Sequence, residues 1–264
     1  MDRTEVAAGR TSRSTAVVTG AGQGIGRAVA EALAVTGLAV AVVDRDAESA
    51  TATAGALHAA GHRAGTYPAD VTDAHAVEDL FDRAERDLGP VTLAVNVAGV
   101  LRTGEVTECS DADWAELFAV NTTGVFHTAR AAARRMKPRG QGCIITVSSN
   151  AGGVPRAGMA GYGASKAAAT LFTKSLGLEL APHGIRCNVV SPGSTDTPMQ
   201  RAFSPGGPEA VIAGDPDAYR VGIPLGRLAA AEDIAAAVCF LASDAARHIT
   251  MHDLYVDGGA TLRA

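Results

Sequence analysis

Three polar side chains near the middle of the chain, Ser149, Tyr162 and Lys166, are of the types that move a proton from an alcohol. Tyr162 and Lys166 lie four positions apart, so they share one face of a helix. A free tyrosine, with a pKa near 10, is only about 0.1% ionised at neutral pH and is a poor base. Because a neighbouring ammonium favours the phenolate, Lys166 is expected to lower the pKa of Tyr162. The group predicts proton transfer to or from a hydroxyl that Ser149 hydrogen-bonds.

A glycine-rich turn upstream can hold the partner in such a reaction. The turn follows an apolar run, opens a segment of helical period and reads Thr19-Gly20-Ala21-Gly22-Gln23-Gly24-Ile25-Gly26. Without Cβ atoms, its backbone can approach the phosphates of a dinucleotide at a helix N-terminus. Position 27 is arginine, so the spacing departs from Gly-x-Gly-x-x-Gly, and no Gly-Lys-Ser/Thr follows as in nucleotide hydrolases. By itself the pattern is also compatible with an ordinary tight turn.

Asp44 strengthens the dinucleotide interpretation. It ends the second predicted strand, 24 positions after Gly20, close to where an acid meets the adenosine ribose hydroxyls. A carboxylate there repels a 2′-phosphate and Gln23 offers that phosphate no charge, so NAD is favoured over NADP. Arg45 is a cation beside it, but its side chain is expected to point away from that of Asp44. A hydride acceptor and a tyrosine base together predict oxidation or reduction of a carbinol carbon.

The elements that must position these residues follow an alternating pattern. Short β-branched runs alternate with longer alanine-rich segments of helical period, which is typical of βαβ units. Several runs are apolar throughout, as expected when helices cover both faces of a parallel sheet. The prediction is an α/β fold: a single doubly wound Rossmann-type domain, with a seven-stranded parallel sheet and helices on both faces. The predicted strands are Ala16–Thr19, Ala39–Asp44, Ala64–Tyr67, Leu93–Asn96, Cys143–Ser148, Arg186–Ser191 and Leu254–Val256, and the predicted helices are Gly26–Thr36, Glu48–Ala60, Ala74–Leu88, Asp111–Met136, Ala164–Leu180 and Glu232–Ala242.

Local features refine this organisation. Asp111 is expected to cap the N-terminus of the helix that it begins. Residues of about 200–220 are rich in proline and glycine and break the rhythm, so they are predicted to form an irregular lid over the substrate. Residues 1–13 are expected to be a flexible tail, and residues 14–264 one domain, because no repeat or linker divides them.

Composition argues against several other functions. The chain has 264 residues, 47% hydrophobic and 19% charged, which is ordinary for a globular protein. A net charge of −5 argues against a nucleic-acid partner and an anionic membrane surface, and no apolar run reaches the ~20 residues that span a bilayer. The N-terminus lacks the apolar core of a secretion signal. Four well-separated cysteines predict reduced thiols and a cytoplasmic protein, and the histidines form no recognisable metal-binding motif.

Taken together, these motifs resemble the short-chain dehydrogenase/reductase family over about residues 14–260. The resemblance implies that Ser149, Tyr162 and Lys166 are catalytic, that Lys166 also grips the nicotinamide ribose, and that Asn121 organises a water-linked proton relay. Val97 stands where the family often has a second asparagine. The shared motifs are Thr19-Gly20-x-x-x-Gly24-x-Gly26, Asp70-Val71, Asn96-Val97-Ala98-Gly99, Asn121, Ser149, Tyr162-x-x-x-Lys166, and Pro192-Gly193 with Thr197.

The resemblance also implies an NAD site. Asp70 and Val71 are expected to hold the adenine, and Thr197 is expected to contact the nicotinamide end. The implied cofactor-binding residues are Gly20, Gln23, Gly24, Ile25, Gly26, Asp44, Asp70, Val71, Asn96, Ala98, Gly99, Tyr162, Lys166, Pro192, Gly193, Thr195 and Thr197.

Several stretches resemble one branch of the family, the 2,3-dihydro-2,3-dihydroxybenzoate dehydrogenases of catechol siderophore pathways. They are residues 99–102, 155–159, 186–197, 199–201 and 222–226, whereas residues 202–220 match poorly. In that branch NAD takes a hydride from the C3 carbinol of a cyclohexadiene carboxylate, and the ketone tautomerises to 2,3-dihydroxybenzoate. The branch therefore implies a small cyclic carboxylate as substrate.

A carboxylated substrate favours an arginine, which can bind both oxygens of the acid. Arg102 follows the fourth predicted strand, Arg156 lies between Ser149 and Tyr162, and Arg201 begins the predicted lid. At least one of the three arginines is expected to meet the carboxylate. The predicted substrate-binding residues are Arg102, Ser149, Arg156, Met159, Tyr162, Met199 and Arg201.

Several alternatives stay open at this point. The same chemistry on 2,3-dihydro-3-hydroxyanthranilate differs by one substituent, and another NAD-dependent alcohol dehydrogenase of the family has the same motifs. An NADPH-linked 3-oxoacyl reductase is disfavoured by Asp44 and by the arginines. A non-catalytic dinucleotide-binding protein has no need of the proton-transfer residues. The family also implies a homotetramer, in which the predicted helices Asp111–Met136 and Ala164–Leu180 pair across subunits.

Overall fold

The computed structural model of the protein describes residues 14–203 and 206–262, and the predicted tail lies outside them. Within that part of the chain, the strands are β1 Thr15–Thr19, β2 Ala39–Asp44, β3 Ala64–Pro68, β4 Val91–Asn96, β5 Gly142–Val147, β6 Ile185–Pro192 and β7 Asp253–Val256. They form one sheet in the order β3-β2-β1-β4-β5-β6-β7, and all neighbours are parallel. The predicted fold class is confirmed.

Helices cover both faces of the sheet because the strands bury side chains in both directions. Within the described residues, the helices are α1 Gly24–Val35, α2 Ala47–Ala59, α3 Ala74–Leu88, α4 Asp111–Phe118, α5 Val125–Met136, α6 Ala160–Leu180, α7 Pro198–Ala202, α8 Gly207–Ala213 and α9 Ala231–Ala242. Ala16 and Val18 pack with α1, α2 and α9 on one face, and Val17 packs with α3 and α5 on the other.

The long helix predicted over Asp111–Met136 is interrupted. A π-helical segment, Ala119–Gly124, separates α4 from α5 and carries Asn121. The predicted cap is also wrong by one residue, because the hydroxyl of Ser110 accepts the hydrogen bond from the Asp113 N–H while Asp111 lies inside the helix. Serine is among the favoured N-cap residues, and an acidic residue is favourable in the first turn that follows.

The segment predicted as an irregular lid contains regular structure. Helices α7 and α8 lie in it, and a short hairpin pairs Asp215 with Arg220 before α9 begins. Residues 204 and 205, between these two helices, lie outside the described residues. In the described chain, no helix has the length and apolar character needed to cross a membrane.

Candidate active site

A cavity of about 510 Å³ opens at the carboxyl ends of the central strands. The chain crosses from one side of the sheet to the other between β1 and β4, which is where open parallel sheets bind ligands. The volume is in the range of small-molecule sites. The glycine turn and Asp44 line the cavity together with Ser149, Tyr162 and Lys166, so the fold unites the two halves of the predicted chemistry.

The glycine turn is shaped by close backbone contact. Gly20 has φ 64°, and a Cβ built on it would lie 2.8 Å from the Ala98 Cα, so a side chain does not fit there. The following helix begins without a side-chain cap at Gln23, and its first residues line the cavity. The first N–H groups of α1 are therefore available to an anion, which is the arrangement that binds dinucleotide phosphates.

The carboxylate of Asp44 stands at the rim of this turn. It accepts hydrogen bonds from the Gly22 N–H at 2.9 Å and from the Asp46 N–H at 3.1 Å. These bonds hold the carboxylate beside the turn and leave its remaining lone pairs for a ligand. Arg45 also lines the cavity, so a cationic residue lies on the wall beside Asp44.

Ser149, Tyr162 and Lys166 meet at the other end of the cavity. Ser149 follows β5 and caps a short 3-10 turn, its Oγ accepting from the Ala151 N–H at 3.1 Å. Tyr162 lies in the first turn of α6, which begins at Ala160, four residues earlier than predicted, and its side chain is hydrogen-bonded with Ser149. The Nζ of Lys166, one turn later, lies 5.9 Å from the Tyr162 ring centroid.

Burial dominates the ionisation of both groups in the protein without a ligand. It raises the pKa of Tyr162 above its ordinary value, and the hydrogen bond from Ser149 opposes that effect. It lowers the pKa of Lys166 to about 8, while the Nζ donates to the Val147 carbonyl at 3.1 Å. The lowering of the Tyr162 pKa by Lys166, with the positive nicotinamide of an oxidised cofactor beside it, stays a prediction, and burial is the effect that these charges have to overcome.

Two buried asparagines, Asn121 and Asn96, hold the backbone around the site. Asn121 is fully buried, and its side chain donates to the Val100 carbonyl and the Ser165 hydroxyl and accepts from the Val100 N–H. Asn96 is buried beneath the cleft, where its Nδ2 donates to the Thr146 hydroxyl at 3.2 Å. Asn121 thus holds the loop after β4 in place, and Asn96 ties the end of β4 to β5. Sequence spacing alone does not reveal these contacts.

The other predicted residues divide between the cavity wall and the outer surface. Arg102 is ion-paired with Asp113 and Glu116, and Arg201 with Asp196. Within the described chain neither of these two arginines lines the cavity, whereas Arg156, the third predicted arginine, does. The predicted residues that line it include Gly20, Gln23, Gly24, Ile25, Gly26, Asp70, Val71, Ala98, Gly99, Arg156, Met159, Pro192, Gly193, Thr195, Thr197 and Met199.

One lining residue, Arg220, was missed by the sequence reasoning. It belongs to the hairpin between α8 and α9 and lines the same cavity as Arg156. The hairpin lies in the proline- and glycine-rich segment, where no periodic pattern marks the direction of a side chain. Its only sequence signal is the position of the Asp215–Arg220 stretch inside the predicted lid.

Comparisons with known proteins agree with this geometry. Residues 20–261 match a family model described as Enoyl-(Acyl carrier protein) reductase. A 2,3-dihydro-2,3-dihydroxybenzoate dehydrogenase of Bacillus subtilis (strain 168) is 52% identical over 94% of this chain and 95% of its own. A solved short-chain type dehydrogenase/reductase from Mycobacterium marinum is 34% identical, with a TM-score of 0.88, and the match covers 96% of this chain and 97% of that one. The chain belongs to the short-chain dehydrogenase/reductase family.

A further relative is consistent with that membership. The 2,3-dihydro-2,3-dihydroxybenzoate dehydrogenase of Escherichia coli (strain K12) is 43% identical over 94% of this chain and 96% of its own. As a short-chain dehydrogenase/reductase, the protein is an oxidoreductase that works with a nicotinamide cofactor.

Proposed function

We propose that the protein oxidises 2,3-dihydro-2,3-dihydroxybenzoate to 2,3-dihydroxybenzoate with NAD, in catechol siderophore biosynthesis. One observation carries this proposal: hydrogen-bonded Ser149 and Tyr162 share a cavity with the glycine turn at one end and Arg156 at the other. Ser149 and Tyr162 can exchange a proton with an alcohol, the glycine turn can bind the phosphates of a dinucleotide, and Arg156 can bind a carboxylate. The relatives that are 52% and 43% identical support the same substrate by their names.

The cavity fits a dinucleotide, because close packing of Gly20 on Ala98 lets the backbone approach phosphates that the uncapped N-terminus of α1 attracts. Asp44 would accept hydrogen bonds from the adenosine ribose, Asp70 and Val71 would flank the adenine, and Thr197 would meet the nicotinamide end. When bound, NAD accepts the hydride from the C3 carbinol carbon. Asp44 supports NAD over NADP, and Arg45 is the group that opposes this preference.

Proton transfer falls to the residues of the chain. The Oη of Tyr162 takes the proton of the C3 hydroxyl, and the hydroxyl of Ser149 donates a hydrogen bond to the same oxygen. Lys166 stabilises the phenolate, because an ammonium in a site of low dielectric favours the charged form of a neighbouring acid. The resulting ketone tautomerises to the aromatic acid, which drives the reaction forward.

Asn121 completes the proposed proton relay. Its side chain bonds Val100 and Ser165, which holds the segment that carries Asn121 against the loop after β4 and against α6, where the relay would run. Asn121 lies in the π-helical segment, an irregularity that is frequent at functional sites.

Paired trials of two acids test the proposed substrate. Purified protein with NAD is given 2,3-dihydro-2,3-dihydroxybenzoate or 2,3-dihydro-3-hydroxyanthranilate, and NADH formation and the products are measured. We expect faster NADH formation with the dihydroxy acid and release of 2,3-dihydroxybenzoate. Faster NADH formation with 2,3-dihydro-3-hydroxyanthranilate would instead assign the protein to oxidation of that compound. If neither acid is turned over, the proposal is rejected.

We further propose a cytoplasmic homotetramer. The thiols of Cys143 and Cys187 are free and buried, and burial raises the pKa of Cys143 to about 11, which suits a reducing compartment. Exposed apolar side chains on α5 and α6, including Phe126 and Leu171, support pairing of these helices between subunits.

A further inference from the structure

The end of the cavity beyond Tyr162 is positively charged. Arg156, in the loop between β5 and α6, and Arg220, in the hairpin after α8, both line it. The carboxylates that line the cavity within the described chain are those of Asp44, the last residue of β2, and Asp70, which follows β3, and both belong to the proposed cofactor end. The substrate end therefore presents two cations without an acidic side chain on its wall.

The two arginines differ from Arg102 and Arg201 in their surroundings. In the described chain, neither guanidinium forms an ion pair, whereas Arg102 and Arg201 each bind carboxylates. The Nε of Arg156 is buried and has no hydrogen-bond partner there. Burial, and then the charge of Arg220, lower the pKa of Arg156, while Asp257 opposes this at longer range. An anion in the cavity would relieve both the repulsion and the missing hydrogen bond.

The backbone that carries Arg220 is firmly held. The Asp215 N–H donates to the Arg220 carbonyl at 2.9 Å, and the Arg220 N–H donates to the Asp215 carbonyl at 2.8 Å. The Asp215 carboxylate accepts from the Asp217 and Ala218 N–H groups. Gly214 has φ 85°, and a Cβ there would lie 2.5 Å from the Arg220 carbonyl oxygen. The hairpin thus presents its arginine to the cavity from a fixed position.

We propose that Arg220 and Arg156 together bind the ring carboxylate of the substrate, with Arg220 as the residue that selects a carboxylated ring. This inference rests on the proposed function and extends it to a residue outside the family motifs. A guanidinium donates two parallel hydrogen bonds to a carboxylate, and two of them, from different segments, can hold both oxygens. The carboxylate then orients the ring so that the C3 hydroxyl meets Tyr162 and Ser149.

Binding measurements on Arg220→Ala and Arg220→Lys test this role. The ligands are 2,3-dihydroxybenzoate and catechol, which share the ring and both hydroxyls and differ in the carboxylate, titrated by calorimetry in the presence of NAD. We expect Arg220→Ala to weaken binding of the acid roughly 30-fold, because a charged hydrogen-bond partner of the carboxylate is lost, and to leave the affinity for catechol unchanged. Arg220→Lys should lose less affinity for the acid, since lysine keeps the positive charge but lacks the planar guanidinium that donates two parallel hydrogen bonds. Tyr219→Ala alters the exposed neighbour in the same hairpin and should change neither affinity.

The outcomes separate this inference from the proposed function. Equal losses for acid and catechol in Arg220→Ala, or no loss for the acid, would overturn the role of Arg220 even if the wild-type protein oxidises the dihydrodiol acid. A selective loss of acid binding would support it even if the dihydrodiol acid is not turned over, in which case only the proposed substrate would be wrong. Loss of acid binding in Tyr219→Ala as large as in Arg220→Ala would assign the effect to hairpin structure and also overturn the inference.

Discussion

At the scale of single residues, the site keeps an ammonium where burial disfavours it. The pKa of Lys166 falls from its ordinary 10.5 to about 8, so at neutral pH the folded protein holds a costly buried charge. Active sites often retain such groups because the chemistry needs them, at the expense of stability. In this site the ammonium is the group that can stabilise the phenolate of Tyr162.

Lys166→Met should therefore abolish turnover and stabilise the unliganded fold. At about pH 7 we expect the free energy of unfolding to rise by up to roughly 3 kcal/mol. Between pH 8 and 10.5 the unfolded chain binds more protons than the folded one, so the stability of the wild-type protein rises with pH. The stability advantage of Lys166→Met over the wild type therefore shrinks. Thermal unfolding of both proteins across this pH range measures that difference. The exposed Lys137→Met should show no such trend, and a gain independent of pH would contradict the assigned cause.

The carboxylate of Asp44 is proposed to set the preference between NAD and NADP. Asp44→Ala should narrow the preference for NAD over NADP, because the repulsion of a 2′-phosphate is removed while Arg45 remains to attract it. Arg45→Ala should widen the preference. The ratio of kcat/KM values for the two cofactors measures both effects, and a ratio that stays constant in Asp44→Ala would count against the ribose assignment.

How much of the site could be predicted from sequence depends on how local each signal is. Tyr162 and Lys166 sit one helical turn apart, and the glycine turn joins a strand directly to a helix, so their spacing already describes their geometry. Arg102 is different, because Asp113 and Glu116 of α4 bind its guanidinium on the outer side. Such competition between partners is decided by packing, which spacing does not contain.

At the scale of elements, the interruption between α4 and α5 shapes the site. The strands were predicted closely because continuous β-branched runs mark them, but nothing in the Ala-Val-Asn-Thr-Thr-Gly stretch of Ala119–Gly124 distinguishes a π-helical segment from an α-helix. Asn121 stabilises that segment by binding both backbone polar groups of Val100. The π-helical segment therefore depends on a tertiary contact, which explains why the local sequence pattern does not predict it.

Asn121→Ala should destabilise this element strongly. It leaves the partly buried N–H and carbonyl of Val100 without their side-chain partner and removes a bond to the buried Ser165 hydroxyl, and we expect a loss of about 3 kcal/mol in the free energy of unfolding together with reduced turnover. Ser110→Ala removes only the exposed cap of α4 and should lose about 1 kcal/mol with activity retained. Denaturant unfolding of both variants makes the comparison, and equal losses would contradict the proposed support role.

At the scale of the whole molecule, the cavity orders its charges along its length. Asp44 stands beside the glycine turn, the Ser149–Tyr162–Lys166 group follows, and Arg156 and Arg220 stand at the far end. The proposed dinucleotide and the proposed small acid would therefore have separate places on the same wall. The parallel sheet creates this order, because successive strands end along one edge.

The proposed tetramer makes a prediction at the same scale. Leu171 and Leu178 on α6 are 67% and 68% exposed in the single chain. Leu171→Glu and Leu178→Glu should shift the assembly to dimers or monomers, since a charge enters an apolar interface. Val35, 74% exposed at the end of α1 on the opposite face of the sheet, provides the control Val35→Glu. Light scattering reports the mass, and a wild-type monomer would reject the assembly.

The base assignment is tested most directly by removing one oxygen. Tyr162→Phe should lower NADH formation from 2,3-dihydro-2,3-dihydroxybenzoate by at least about 10³-fold, a loss typical of a missing general base, while NAD still binds. Tyr219→Phe removes the same oxygen from an exposed tyrosine and should retain full activity. Turnover of Tyr162→Phe at the wild-type rate would contradict the account, because no other residue is assigned to take the proton.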